Sequence, residues 1–93
     1  MVNKMSKYGQ TGIVKKVWNK MPNVKGKDEN YKRDPYGNVL YKHSYGKDTK
    51  MGWNIDHIKP KSKGGSDCLV NLQALQTSKN KSLGNKLIKR RIK

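Results

Sequence analysis

The chain has 93 residues, 22 of them Lys or Arg and only 6 Asp or Glu, for a formal net charge of +16. An apolar fraction of 32%, with no Phe at all, allows one small core and excludes a multidomain protein. Charge of that size opposes compaction and marks a polyanion as the partner, and since no stretch is apolar enough to span a bilayer, nucleic acid is favoured over membrane. The single cysteine, Cys68, excludes an intramolecular disulfide and leaves no CxxC pair for a structural zinc. The opening residues, MVNKMSKYGQTG, lack the apolar stretch of a signal peptide, so the expected setting is cytoplasmic and reducing.

In chain order, residues 1–10 have no period and read as a basic flexible arm, followed by one folded domain over 11–93. From Thr11 or Gly12 a short helix is expected, with Ile13, Val14, Val17, Trp18 and Met21 at helical spacing and Pro22 as its end. Trp18 lies on that apolar face and reads as a core anchor. Residues 23–36 are polar and turn-rich, and Asp34-Pro35-Tyr36-Gly37 has Pro and Gly where a β-turn takes them. A strand or hairpin arm is expected over 38–45, with His43 as a surface or phosphate-contacting residue. Two questions stay open here: whether Tyr41 and Tyr45 pack on the core or stack on nucleic acid, and whether Arg33 braces Asp34 or grips a phosphate.

After a basic loop, residues 53–58 alternate apolar and polar side chains as a strand does, and Pro60 ends it. Gly64-Gly65 places a loop over 61–67. A second short strand is expected over 69–76, with Cys68 as a small buried side chain beside it. Thr77 or Ser78 suits a helix N-cap, and Leu83, Leu87 and Ile88 form an apolar stripe running to about Lys89. Residues 86–93 add five positive charges at the end of that helix, read as phosphate contacts.

This order of strand, Gly-rich loop, strand and helix can bring Asp56, His57 and Asn80 together. Hydrolysis of a phosphodiester needs a base to take a proton from water and positive charge where the leaving oxygen develops. His57 is the residue type for the base. The Asp56 carboxylate and the Asn80 amide oxygen are hard donors for a divalent ion such as Mg²⁺, which keeps further positions for water and phosphate. Lys59, Lys61, Lys63, Lys79, Lys81, Lys86, Lys89, Arg90 and Arg91 lie along the same stretch and read as nucleic-acid contacts. One tension is built in. Successive residues of a strand face opposite ways, so Asp56 and His57 can share a site only at a strand end or a bulge.

Asp56-His57-Ile58 with Pro60, the Gly64-Gly65 loop, Asn71-Leu72-Gln73 with Leu75, and Asn80 nine residues after Asn71 together resemble the motif of the HNH endonucleases, the ββα-metal fold. Upstream, VWNKMPNVKGKDENYKRDPYGNVLYKHSYG and GWNIDHIKP are similar to small bacterial and phage-type members, so the likeness covers most of the chain. The resemblance implies an α+β fold, with a ββα-metal core over about 53–89 preceded by a short helix and a basic loop or hairpin region. It implies His57 as general base, Asp56 and Asn80 as metal ligands, and Asn71 as the residue orienting the loop that holds His57. The ion would stabilise the scissile phosphate and the departing 3′ oxygen, with 5′-phosphate and 3′-hydroxyl products. Mg²⁺ is the first choice, with Mn²⁺, Co²⁺ or Ni²⁺ as substitutes, and no structural zinc is expected. Where many members have Asn-x-x-Lys-Gly, this chain has Leu83 before Gly84, so that phosphate contact either passes to Lys81 or Lys86 or is lost.

The expected activity is metal-dependent cleavage of DNA, nicking or cutting duplex with weak sequence preference, in the host cell if the chain is phage- or virus-encoded. Two rivals remain: a basic DNA-binding architectural or packaging protein with an HNH fold and little activity, and an RNA-directed nuclease. Monomer or homodimer, and a protein partner supplying specificity, are equally open.

Overall fold

A computed structural model describes residues 12–84. The arm at 1–10, the helix continuation to Lys89 and the basic tail lie outside those residues. Gly12–Lys20 forms α1. Nine residues are too few for a helix to persist alone in water, so burial of its apolar stripe must hold it. Val17 and Trp18 are buried, and Ile13 and Val14 pack against the same cluster. The Met21 N–H reaches the Trp18 carbonyl at 3.1 Å, and Pro22, with no N–H to give, ends the run.

Strands β1 (Tyr31–Arg33) and β2 (Val39–Tyr41) pair antiparallel as a hairpin. The turn between them is the one expected: the Gly37 N–H bonds the Asp34 carbonyl at 2.9 Å. β1 itself falls in the segment read as polar loop. Lys32 occupies its centre, opposite Leu40 and bridged to Asn23, and is buried there, so no apolar alternation marks the strand. β2 is shorter than the strand expected over 38–45. The Tyr41 carbonyl is taken by the Trp53 indole N–H at 3.1 Å, and a 3₁₀ turn over Lys42–Ser44 follows.

β3 (Trp53–His57) and β4 (Leu72–Gln76) form the second antiparallel pair, in unbroken register from Trp53 opposite Gln76 to His57 opposite Leu72. The first residues of the strand expected over 69–76 are instead a 3₁₀ turn, Leu69–Asn71. Helix α2 (Thr77–Leu83) leaves β4 directly. Its cap position belongs to Gln76, not to Thr77 or Ser78. Thr77 is buried, and its hydroxyl donates to the Lys47 carbonyl at 2.9 Å while accepting from Asn54 Nδ2 at 3.0 Å. Tertiary bonding has claimed the oxygen that a cap would have used.

The β3–β4 hairpin is covered on both faces. Trp53, Leu72 and Ala74, with Ile55 beside them, meet Val17, Trp18, Met21 and Leu40 in the core. Trp18 and Trp53 stack there with centroids 4.9 Å apart. The opposite face carries Asn54, Asp56, Gln73 and Leu75 by strand alternation, and Asn54 is the residue bonded to the start of α2.

Two long-range ties fix the hairpin's ends. Asp34, 2% exposed, accepts from the Tyr36 and Asn38 N–H groups at 2.9 Å each. Its other oxygen reaches the Gln76 N–H at 3.0 Å, 42 residues away. Lys20 Nζ donates to the Leu69 and Leu72 carbonyls at 3.0 and 2.6 Å. Among the described residues no helix is long and apolar enough to cross a membrane.

Candidate functional site

β3 ends in the Asp56-His57 pair and, with no bulge in its register, sends the two side chains to opposite faces. Asp56 is 5% exposed, on the face of Asn54. Asn80 lies one helical turn after Thr77 and therefore on the same side of α2 as that residue. His57 is the last residue of β3, on the face of Trp53 and Ile55. The pair therefore stands at the end of the strand, without a bulge and with its side chains on opposite faces.

The loop between β3 and β4 is closed at its neck by Asn71. Its Oδ1 accepts from the Lys59 N–H at 2.9 Å, and its Nδ2 donates to the Lys59 and Ser66 carbonyls at 3.1 and 2.7 Å. The Ile58 N–H completes the neck by bonding the Asn71 carbonyl at 2.8 Å. The two glycines answer different needs. Gly64 has φ +94°, a left-handed conformation that suits Gly, whereas a Cβ on Gly65 would overlap the Lys59 carbonyl. The loop following His57 is thus fixed by backbone bonds and close contact.

Residues 43–86 match the family model described as HNH endonuclease. Over that segment, just under half of its length, the chain is similar to the HNH endonucleases. The match takes in β3, β4 and α2 and all four of Asp56, His57, Asn71 and Asn80, and the α+β arrangement around it agrees with an HNH ββα core. A nuclease-type function follows at that general level. No curated protein and no solved structure matched the chain.

Within the HNH segment, His57 has a partner that the sequence reading passed over. Its Nε2 lies 2.7 Å from Asp67 Oδ1, and Asp67 Oδ2 accepts from Lys61 Nζ at 2.8 Å. The Lys61 ammonium first, and the His57 ring second, hold the Asp67 carboxyl down at about 2, from 3.8. No spacing rule links the two positions; the available signal was one acid set among the loop's lysines.

The other basic residues divide. Lys81 pairs with Asp48 at 2.7 Å and Lys79 sits 4.7 Å over the Tyr36 ring. Lys59 and Lys63 are exposed, with no protein partner for their ammonium groups among the described residues. Lys86, Lys89, Arg90 and Arg91 lie outside the described residues.

Cys68 corrects an expectation: it is exposed, not buried. The segment after it turns instead of pairing as a strand, which also leaves Val70 69% exposed. Arg33 donates to the Gly37 carbonyl at 2.7 Å and so braces the hairpin turn without pairing with Asp34. Tyr45 packs on Trp53 with centroids 4.9 Å apart, and the exposed His43 sets its edge against Tyr41.

Among the described residues no three His, Cys, Asp or Glu side chains gather as an ion site. The Asp56 carboxylate and the Asn80 amide oxygen are the hard oxygen donors that the sequence offers for an ion. That donor set fits a hard divalent cation.

Proposed function

We propose that this chain is a metal-dependent endonuclease that hydrolyses phosphodiester bonds in DNA, nicking or cutting duplex with weak sequence preference. The observation that carries the reading is the HNH match falling on one hairpin and helix that hold Asp56, His57, Asn71 and Asn80. A phosphate lying across the end of β3 meets Asp56 from one face and His57 from the other.

His57 takes a proton from water as the water oxygen forms its bond to phosphorus. The bond to the 3′ oxygen breaks with its electron pair, and that oxygen takes a proton from solvent. The products are a 5′-phosphate and a 3′-hydroxyl. Asp56 and Asn80 would hold a divalent ion, with Mg²⁺ as first choice, which would supply positive charge to offset the negative charge developing on the phosphate and the departing oxygen. Asn71 keeps the loop in place and so fixes where the His57 ring stands. Lys59 and Lys63 grip backbone phosphates, contacts that orient duplex without reading its sequence. If about six phosphates are neutralised in all, log affinity falls with log salt at a slope of about −5.

Nicking of supercoiled plasmid tests this, with Mg²⁺, Mn²⁺, Co²⁺ or Ni²⁺ and with chelator. The wild-type protein is expected to nick only with metal, and His57→Ala to lose about 10²- to 10⁴-fold in rate while still binding DNA. Tight binding with no metal-dependent nicking would mean an architectural protein. Faster cleavage of structured RNA than of duplex DNA would move the substrate.

A further inference from the structure

Beside His57, which the reaction above uses, stand two charged groups that it does not use, Asp67 and Lys61. His57 comes from the end of β3 and Asp67 from the far limb of the loop, ten residues on. Their separation of 2.7 Å is that of a charge-assisted hydrogen bond. Asp67 is held from two sides. Lys61 binds its second oxygen at 2.8 Å, and the neighbouring Ser66 carbonyl is bonded to Asn71. An ionised carboxylate only accepts hydrogen bonds, and Asp67, held at about 2, is ionised at any neutral working pH. The proton between the two groups therefore belongs to His57 Nε2. The other ring nitrogen, Nδ1, has no hydrogen-bond partner among the described residues.

We propose that Asp67, steadied by Lys61, is a positioning residue: it fixes His57 in the one tautomer and ring orientation that leaves Nδ1 bare to receive the proton of the attacking water. The role rests on the nuclease reading above. Asp67 touches neither substrate nor reacting atoms and acts wholly through His57. Lys61 is then a brace for the acid, and its charge is spent within the protein before DNA arrives. A bland account exists, in which the trio is a surface ion pair. The Asp67 side chain is 57% exposed, and exposed pairs contribute little to stability. The two accounts differ in rate, not in folding.

The full chain, metal-free and with ¹⁵N-labelled histidine, supplies the first readout. The chain has two histidines, so the exposed His43 is an internal control. In the wild type, the His57 ring nitrogens should report a proton on Nε2 and a bare Nδ1. In Asp67→Ala they should move to the averaged values of His43. In the plasmid assay with metal, Asp67→Ala should lower kcat about ten- to a hundredfold with KM for DNA unchanged. Asp67→Glu should recover part of that loss, and Asp67→Ala should add nothing on a His57→Ala background. Ring nitrogens indifferent to Asp67→Ala overturn the proposal, as does a KM effect without a kcat effect or an equal loss in the absence of His57. A wild-type protein that never nicks overturns the nuclease reading and this role with it; one that nicks equally well without Asp67 overturns this role alone.

Discussion

Residues 12–42 and 43–84 meet in one core but are built by different means. The first stretch supplies Val17, Trp18, Met21 and Leu40, and its hairpin turn is organised by a buried carboxylate. The second supplies Trp53, Leu72 and Ala74 to the same core, yet its long loop is fixed by polar bonds, with Asn71 as their centre. Only the second stretch falls within the HNH match. A two-stranded sheet alone is marginal in water, and β3–β4 is such a sheet. Part of the chain outside the match makes it durable: α1 covers one face, Lys20 holds the carbonyls of Leu69 and Leu72, and Asp34 holds the Gln76 N–H. The stretch proposed to bear the chemistry and the stretch that secures it are separate in sequence.

The strongest way to break that division is Trp18→Ala. Loss of a fully buried indole should lower the stability of the whole domain by about 3–5 kcal/mol, read by urea unfolding, while the folded fraction keeps its nicking rate. A loss under about 1 kcal/mol would mean that the second stretch stands alone.

Asn71→Ala sharpens the division from the other side. It leaves the Lys59 N–H and the Lys59 and Ser66 carbonyls without their partner. A stability loss of about 2 kcal/mol is expected, together with a fall in nicking larger than the unfolded fraction accounts for. An activity loss that merely tracks unfolding would make Asn71 a buttress like Trp18.

The smallest effect is in pH. The Asp67 carboxyl is held at about 2 in the folded chain against 3.8 ordinarily, so its contribution is fully present above 3.8 and disappears as pH falls toward 2. Stability curves of the wild type and Asp67→Asn should differ above that window and merge below it. A constant offset across the whole range would show that charge on Asp67 is irrelevant.

Legibility in the sequence follows how local each cause is. α1 was legible because its apolar residues recur on one face, and β3 because Trp53, Ile55 and their polar neighbours alternate. Asp56, His57, Asn71 and Asn80 stand in the sequence as a spaced set, and the family match spans all four. β1 was not, since its central residue is a lysine whose burial depends on Leu40 and Asn23 from other segments. The bond from Asp34 to Gln76 spans 42 residues and has no local signature. Thr77 has the chemistry of a cap, but Lys47 and Asn54 compete for its hydroxyl and win. Asp67 was hidden for the same reason: its meaning comes from a loop folding back on a strand end.

Trp18 and Trp53 are the only indoles in the chain, one from each stretch, with ring centroids 4.9 Å apart and planes inclined by 35°. Chromophores so close and so tilted share their excitation. The ultraviolet circular dichroism of the pair therefore exists only while the two stretches are docked. The molecule has an optical gauge of its own assembly, readable without any label.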